Sequence, residues 1–163
     1  MSNNTYAPSN PEAFTVQFGN DPESFMSKLV ASRPFIEGER IGSLGVSHPS
    51  SAPVYSTVQV GREAHIELDS DLRYTNHSCQ PSTLFDTVTM EVRAARDIEA
   101  GEELTYFYPS TEWKVTQVFP CWCGSEQCIG DVQGASYLSP KALEGHYVNP
   151  HITALVQEGS KKE

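Results

Sequence analysis

The sequence is short of positive charge. Eleven Lys and Arg stand against 21 Asp and Glu, a formal charge of −10. A protein that grips a nucleic-acid backbone needs a basic face, so direct nucleic-acid binding is not expected. The acid excess suits solubility alone, or a cationic partner such as a Lys- or Arg-rich peptide. Long apolar runs are missing as well, so no membrane-crossing helix is expected. The first eleven residues have neither a basic start nor an apolar stretch, which argues against a secretory signal. Cysteine is scarce: four in 163 residues. Cys79 stands alone, whereas Cys121, Cys123 and Cys128 crowd together, too close for unstrained disulfides. A reducing compartment, nucleus or cytoplasm, fits thiols that stay free or bind metal. The length suits one domain, taken as a monomer by default.

What is present reads mainly as β structure. Residues 14–18 and 54–60 alternate apolar and polar side chains, as half-buried strands do, and so do 87–94. Two short strands are expected within 25–35, interrupted at Ser32-Arg33-Pro34, and further ones at 65–68 and 104–106. Glu37-Gly38 reads as a turn into Arg40-Ile41. The Gly-, Ser- and Pro-rich stretch 42–53 reads as loop, and so does 95–103. Helices are expected only near the C-terminus, where Ser139-Pro140 and Asn149-Pro150 supply start signals. Residues 1–12 read as extended or disordered.

Clustered thiolates in a reducing compartment suggest zinc, which takes four tetrahedral ligands. Three come from Cys121, Cys123 and Cys128. Spacing leaves the fourth open between Cys79 and a histidine. An all-thiolate set would be closed and structural rather than catalytic.

Three stretches occur in a telling order: Asn76-His77-Ser78-Cys79-Gln80-Pro81, then Gly101-Glu102-Glu103-Leu104-Thr105-Tyr106-Phe107-Tyr108, then the cysteine cluster up to Gly130. Together they resemble the SET-domain family of protein-lysine methyltransferases with its post-SET zinc segment, over roughly residues 25–134. The resemblance implies a β-clip-like fold of several small curved sheets with a pseudoknot crossing, where the Asn-His segment passes beside the Tyr segment. Short C-terminal helices would follow. It divides the chain into a SET domain at 13–117, a post-SET zinc segment at 118–134 and a helical extension at 135–163. It implies methyl transfer from S-adenosylmethionine to a lysine of a basic protein or peptide, a histone among the candidates. It makes Cys79 the fourth ligand of one structural zinc ion.

Residue by residue, the resemblance assigns Tyr108 to catalysis and Tyr106 to the lysine channel. By residue type alone both are ordinary sheet aromatics. Asn76 and His77 match the family's cofactor-binding pair, with Arg73 bracing their loop. Trp122 would pack on adenine, or else over the metal site. Lys28 lies in the stretch Met26-Ser27-Lys28-Leu29-Val30-Ala31, which stands where the family carries a Gly-x-Gly cofactor segment. No glycine is present there, and glycine is what lets a backbone approach a ligand closely. Phe107 replaces an acidic residue of the family, and the insert between Ile41 and Ile66 is short. These departures keep two other readings open: a small-molecule substrate for methylation or a cofactor-free reaction, and a non-catalytic binding module. His48, His65, His146 and His151 receive no role.

Overall fold

Phe14, Val16, Leu29, Ala31 and Leu104 cannot stay in water, and their burial sets the first sheet. The computed structural model describes residues 6–19 and 27–161. Strands β1 (Phe14–Gln17), β2 (Lys28–Ala31), β10 (Glu103–Tyr106) and β7 (Asn76–His77) lie in the order β1-β2-β10-β7. The first two pairings are antiparallel, and β10 with β7 is parallel, Thr105 facing Asn76 and Tyr106 facing His77. A second sheet has the order β3 (Arg40–Ser43), β9 (Glu91–Ala94), β8 (Thr83–Asp86). A third runs β4 (Ser47–Ser50), β6 (His65–Leu68), β5 (Thr57–Gln59). A small ribbon pairs β11 (Phe119–Pro120) with β12 (Asp131–Val132). Two α-helices close the chain, α1 (Pro140–Leu143) and α2 (Pro150–Lys161). Ser139 caps α1 by accepting from the Ala142 N–H. Single 3-10 turns form at Asp71–Tyr74, Tyr108–Ser110 and Ala135–Tyr137. The fold is thus mainly β with few short helices, as expected. Among the described residues no helix is long and apolar enough to cross a membrane.

Several local expectations are corrected. The stretch 42–53 is not all loop: β3 runs to Ser43, and β4 pairs with β6, His48 opposite Glu67. Its side chains are small and polar, so no alternation betrays it, and Pro49 is tolerated because β4 is an edge strand. Of 54–60 only Thr57–Gln59 pairs, since Val54 turns the chain by accepting from the Thr57 N–H. The run 87–94 is interrupted. Asp86 accepts from the N–H groups of Val88 and Thr89, making a side-chain-closed turn, and Met90 takes a positive φ of 57°. The strand begins only at Glu91, and its partner Thr83–Asp86 was not foreseen. The second short strand expected before Phe35 reduces to a single bridge, Phe35 to Ile98. Residues 25 and 26 lie outside the described residues, as do 1–5. From Tyr6 onward the N-terminal segment is tied down: the Tyr6 hydroxyl and the Ser9 N–H both donate to Asp71. Helix α2 also continues past Val156 through the expected tail to Lys161.

The core has two parts. The larger gathers Phe14, Leu29, Phe35, Leu44, Phe85, Val92, Ile98 and Leu104. The smaller joins Cys79, Phe107, Ala135, Leu143 and Ile152 beneath the C-terminal segment. Strand β10 is the wall between them, its Leu104 and Tyr106 in the first and the following Phe107 in the second. Asn149 locks the two together. It is fully buried, and its amide donates to Phe85 O (2.7 Å) and Ser110 O (2.9 Å). Its oxygen accepts from the Thr87 N–H at 2.9 Å. Removing its side chain takes this partner from Phe85 O and the half-buried Thr87 N–H, while Ser110 O keeps the Asn149 N–H. Asn149→Ala is expected to lower stability by about 2–4 kcal/mol in urea unfolding; a loss under 1 kcal/mol would contradict this role.

Candidate active site and cysteine cluster

Parallel pairing with β10 is what carries Asn76 and His77 to the tyrosines. The Ser78 N–H donates to Tyr106 O (3.1 Å) and continues the ladder past His77. The Tyr108 N–H donates to His77 Nδ1 (3.1 Å). With Nδ1 accepting, Nε2 carries the ring proton and lies 3.4 Å from Cys79 Sγ. Burial, with His146 nearby, pushes His77 down to about 4, so the ring is neutral at physiological pH.

The tyrosines are held from several sides. Tyr106 stacks on Phe85 with centroids 3.8 Å apart, and Tyr108 leans on Tyr106 at 4.7 Å. Burial, then the nearby Glu112 carboxyl, raises both phenols above their ordinary range. Tyr108 therefore stays protonated, and it donates that proton to Thr75 O at 2.8 Å. Its oxygen lone pairs remain free to accept weak C–H contacts. Phe119 closes the group, 5.9 Å from the Tyr108 ring and 6.4 Å from His77.

Asn76 donates from Nδ2 to Ser27 O (2.9 Å) and Glu103 Oε2 (3.1 Å). This fastens its loop to the entry of β2, where the glycines are missing. Lys28, next in the chain, is exposed and pairs in register with Gln17. Arg73 is exposed and lies over the Tyr74 ring, its Nη2 donating to the Tyr74 hydroxyl at 2.9 Å. Trp122 is 86% exposed, its ring packed on neither the tyrosines nor the cysteines. Of the expected residues, then, Asn76, His77, Tyr106 and Tyr108 form one cluster, while Lys28, Arg73 and Trp122 lie at its exposed margins or beyond. A cavity of about 400 Å³ opens elsewhere, on the side of Phe107 lined by Gln80, Thr83, His146 and Tyr147.

Sequence reasoning passed over Glu112. In Tyr108-Pro109-Ser110-Thr111-Glu112-Trp113 it looks like a linker charge, yet it is only 8% exposed. Its Oε2 accepts from the Gln59 N–H at 2.9 Å, and the Trp113 N–H donates back to Gln59 Oε1 at 2.9 Å. Burial raises the carboxyl to about 7, against the lowering effect of bonds from Gln59 and Thr111. The available signal was an acidic residue wedged among apolar and hydroxyl neighbours directly after the tyrosines.

The four cysteines meet. One ligand atom from each of Cys79, Cys121, Cys123 and Cys128 lies within 4.8 Å of all the others. Cys79 and Cys121 Sγ are 3.8 Å apart. Four sulfurs around one ion at ~2.3 Å would stand about 3.8 Å apart, so the set fits a tetrahedral metal. The Ile129 N–H donates to Cys79 Sγ at 3.4 Å, a contact suited to a thiolate. The spacing left a histidine open as fourth ligand; the structure brings Cys79 to that place.

These features define a protein of SET fold with a four-cysteine cluster attached. The SET-domain family model matches residues 47–109. A protein of Aspergillus flavus called methyltransferase flvH is 40% identical over 151 residues, covering 91% of this chain and 84% of its own length. The histone-lysine N-methyltransferase ash1 of Drosophila melanogaster is 37% identical over 75 residues, 42% of this chain but 3% of that protein. Among solved structures, KRYPTONITE in complex with DNA and SAH shares the fold with a TM-score of 0.54 at 20% identity, over 72% of this chain and 29% of that one. The chain belongs to the SET-domain methyltransferase family.

The raised Glu112 carboxyl has a stability consequence. Because the native state holds the proton more tightly, its contribution is present below about pH 4.5 and lost as pH rises through about 7. Glu112→Gln keeps an oxygen for Gln59 but cannot ionise. Its stability relative to wild type should therefore rise between pH 5 and 8, by an amount on the order of 3 kcal/mol. A difference that stays flat across that range would contradict the buried carboxyl.

Proposed function

We propose that this chain is an S-adenosylmethionine-dependent N-methyltransferase acting on the lysine amine of a basic protein or peptide, such as a histone tail. The observation that carries the reading is the parallel laying of Asn76-His77 against Tyr106, with the Tyr108 hydroxyl given to Thr75 O. In this reading Asn76 and the His77 backbone hold the cofactor. The Asn76 bond to Ser27 O fixes the glycine-free entry of β2, and Lys28, Arg73 and Trp122 border the pocket. When bound, the cofactor supplies a methyl group on a positively charged sulfur. The aromatic cluster of His77, Tyr108 and Phe119 suits such a cation. Tyr108 aims the amine and accepts weak contacts from the methyl in flight, and Tyr106 lines the amine's channel. One zinc ion on Cys79, Cys121, Cys123 and Cys128 ties the C-terminal segment to the Asn76 loop. A nuclear or cytoplasmic setting belongs to the same reading, and the charge of −10 favours a cationic substrate.

A second reading replaces the peptide by a free small amine. It is favoured by the relative aligned along 84% of its length, itself a short chain named only as a methyltransferase. It is also favoured by the short span between Ile41 and Ile66, which holds the end of β3, the strands β4 and β5 and only brief connections between them.

The test is methyl transfer from labelled S-adenosylmethionine to a lysine-rich histone-tail peptide and to free lysine. Transfer to the peptide supports the first reading, transfer to free lysine alone the second. Tyr108→Phe should lower either rate by at least about 100-fold while the protein still carries one zinc per chain. Near-wild-type activity in that variant would remove Tyr108 from the reaction.

A further inference from the structure

A lysine-type amine is protonated at neutral pH, with a pKa of about 10.4 in water, and only its neutral form can attack a methyl group. Something must take the proton. Tyr106 and Tyr108 are poor acceptors, because burial holds both as phenols and Tyr108 already donates to Thr75 O. We propose that Glu112 receives the proton lost by the substrate amine, relayed through the hydroxyls of Tyr106 and Thr111. The inference rests on the methyl-transfer reading above.

Geometry supplies the first link: Thr111 Oγ1 lies 3.4 Å from the Tyr106 hydroxyl. Glu112 follows Thr111 directly in the chain and is buried, and the Thr111 side chain lowers its carboxyl. One carboxyl oxygen, Oε2, is occupied by the Gln59 N–H. Any neutral oxygen, an amide for instance, would satisfy that N–H, so the strap between β5 and the tyrosine turn does not by itself call for an acid. The charge of Glu112 reaches the site, since it helps to raise both phenols.

The surrounding groups leave the carboxyl free to exchange a proton near neutral pH. Tyr106 on β10 and Tyr108 in the turn after it stay neutral. His151 on α2 approaches through its Nε2, 2.8 Å from Thr111 O, and His65 on β6 lies near His151. Burial lowers both imidazoles, so neither is a cation above pH 6.5. Glu103 on β10 contributes a further negative charge, near Tyr108. Among the described residues no Lys or Arg is ion-paired with Glu112. In water the transfer from a free amine would run uphill by roughly three pKa units. Burial lowers the amine and raises the acid, closing that gap from both sides.

In one concerted step, an N–H bond of the ammonium breaks and its proton passes to the Tyr106 oxygen as the Tyr106 proton moves to Thr111 and the Thr111 proton to a Glu112 carboxyl oxygen, so that neither hydroxyl carries a charge. The freed lone pair forms the N–C bond as the methyl's bond to sulfur breaks. A neutral thioether and a methylammonium result, the positive charge having moved from sulfur to nitrogen. Glu112 then releases its proton to water.

The experiment compares wild type, Glu112→Gln and Thr111→Val as intact zinc-loaded proteins. It uses labelled S-adenosylmethionine with the histone-tail peptide or free lysine, whichever the wild type methylates. Carboxyl 13C shifts in Glu-labelled protein give a readout that does not depend on turnover. The expected result is a wild-type kcat that rises with pH through an ionisation near 7, matched by a Glu112 carboxyl signal titrating there. Glu112→Gln should lose both the ionisation and the signal, with kcat at pH 8 down about 100-fold and cofactor affinity unchanged. Thr111→Val should keep a carboxyl titration, moved upward by loss of the Thr111 hydroxyl, while lowering kcat, and it serves if Glu112→Gln does not fold. A wild-type enzyme whose pH profile survives Glu112→Gln overturns this inference and leaves the methyl-transfer reading standing. Wild type that neither binds S-adenosylmethionine nor methylates any amine overturns both.

Discussion

Two residues of parallel β pairing hold this site together. Asn76 and His77 lie beside Thr105 and Tyr106, far apart in sequence and joined across the sheet. Parallel strands cannot be linked by a tight turn, so a long stretch of chain must travel out and return before this contact closes. Here the returning chain is spent on β8, β9 and their packing into the larger core. The pairing also brings His77 Nδ1 to the Tyr108 N–H and Cys79 to the other cysteines. If it slipped by one residue, His77 would change faces and both contacts would go.

Around that crossing the energetics are mostly those of burial. Tyr106 sits between Phe85 and Tyr108, and its phenol is forced to remain neutral. His77 is neutral for the same reason. The result is a cluster of neutral aromatic groups in which the Tyr108 proton is already given to Thr75 O. Such a site does little for an anion and a good deal for a cation that must shed its water. The buried acid, Glu112, lies just behind the tyrosines rather than among them. The four cysteines act on a different scale: they meet where residues 121–128 come up against the Asn76 loop, at the edge of the smaller core.

Much of this was legible in the sequence because it depends on local patterns. The order of Asn76-His77-Ser78-Cys79, Glu103 to Tyr108 and the cysteine cluster pointed to the fold and to a meeting of four thiols, and the structure places them so. Strands with apolar alternation, such as Phe14–Gln17 and His65–Leu68, were readable as well. Strand β4 was not, because Ser47-His48-Pro49-Ser50 pairs through its backbone and leaves no hydrophobic trace. The hairpin at Asp86 was hidden by an unbroken β-branched run, and only side-chain bonds to Val88 and Thr89 reveal the turn. Glu112 was illegible for a general reason: burial of a charge is a property of the whole fold and not of the residues beside it. The reverse holds for Trp122, whose place between two cysteines suggested packing, but whose ring is exposed.

The proposed function requires the β7–β10 crossing to hold S-adenosylmethionine although the entry of β2 has no glycine. Calorimetric titration of the zinc-loaded protein with S-adenosylmethionine tests this most directly. One site per chain in the micromolar range, about −8 kcal/mol, is the predicted result. That binding should weaken sharply in Asn76→Ala, which frees Ser27 O and Glu103 together. Absence of binding to a folded, metal-loaded protein would contradict the claim and leave the tyrosine cluster without a cofactor to serve.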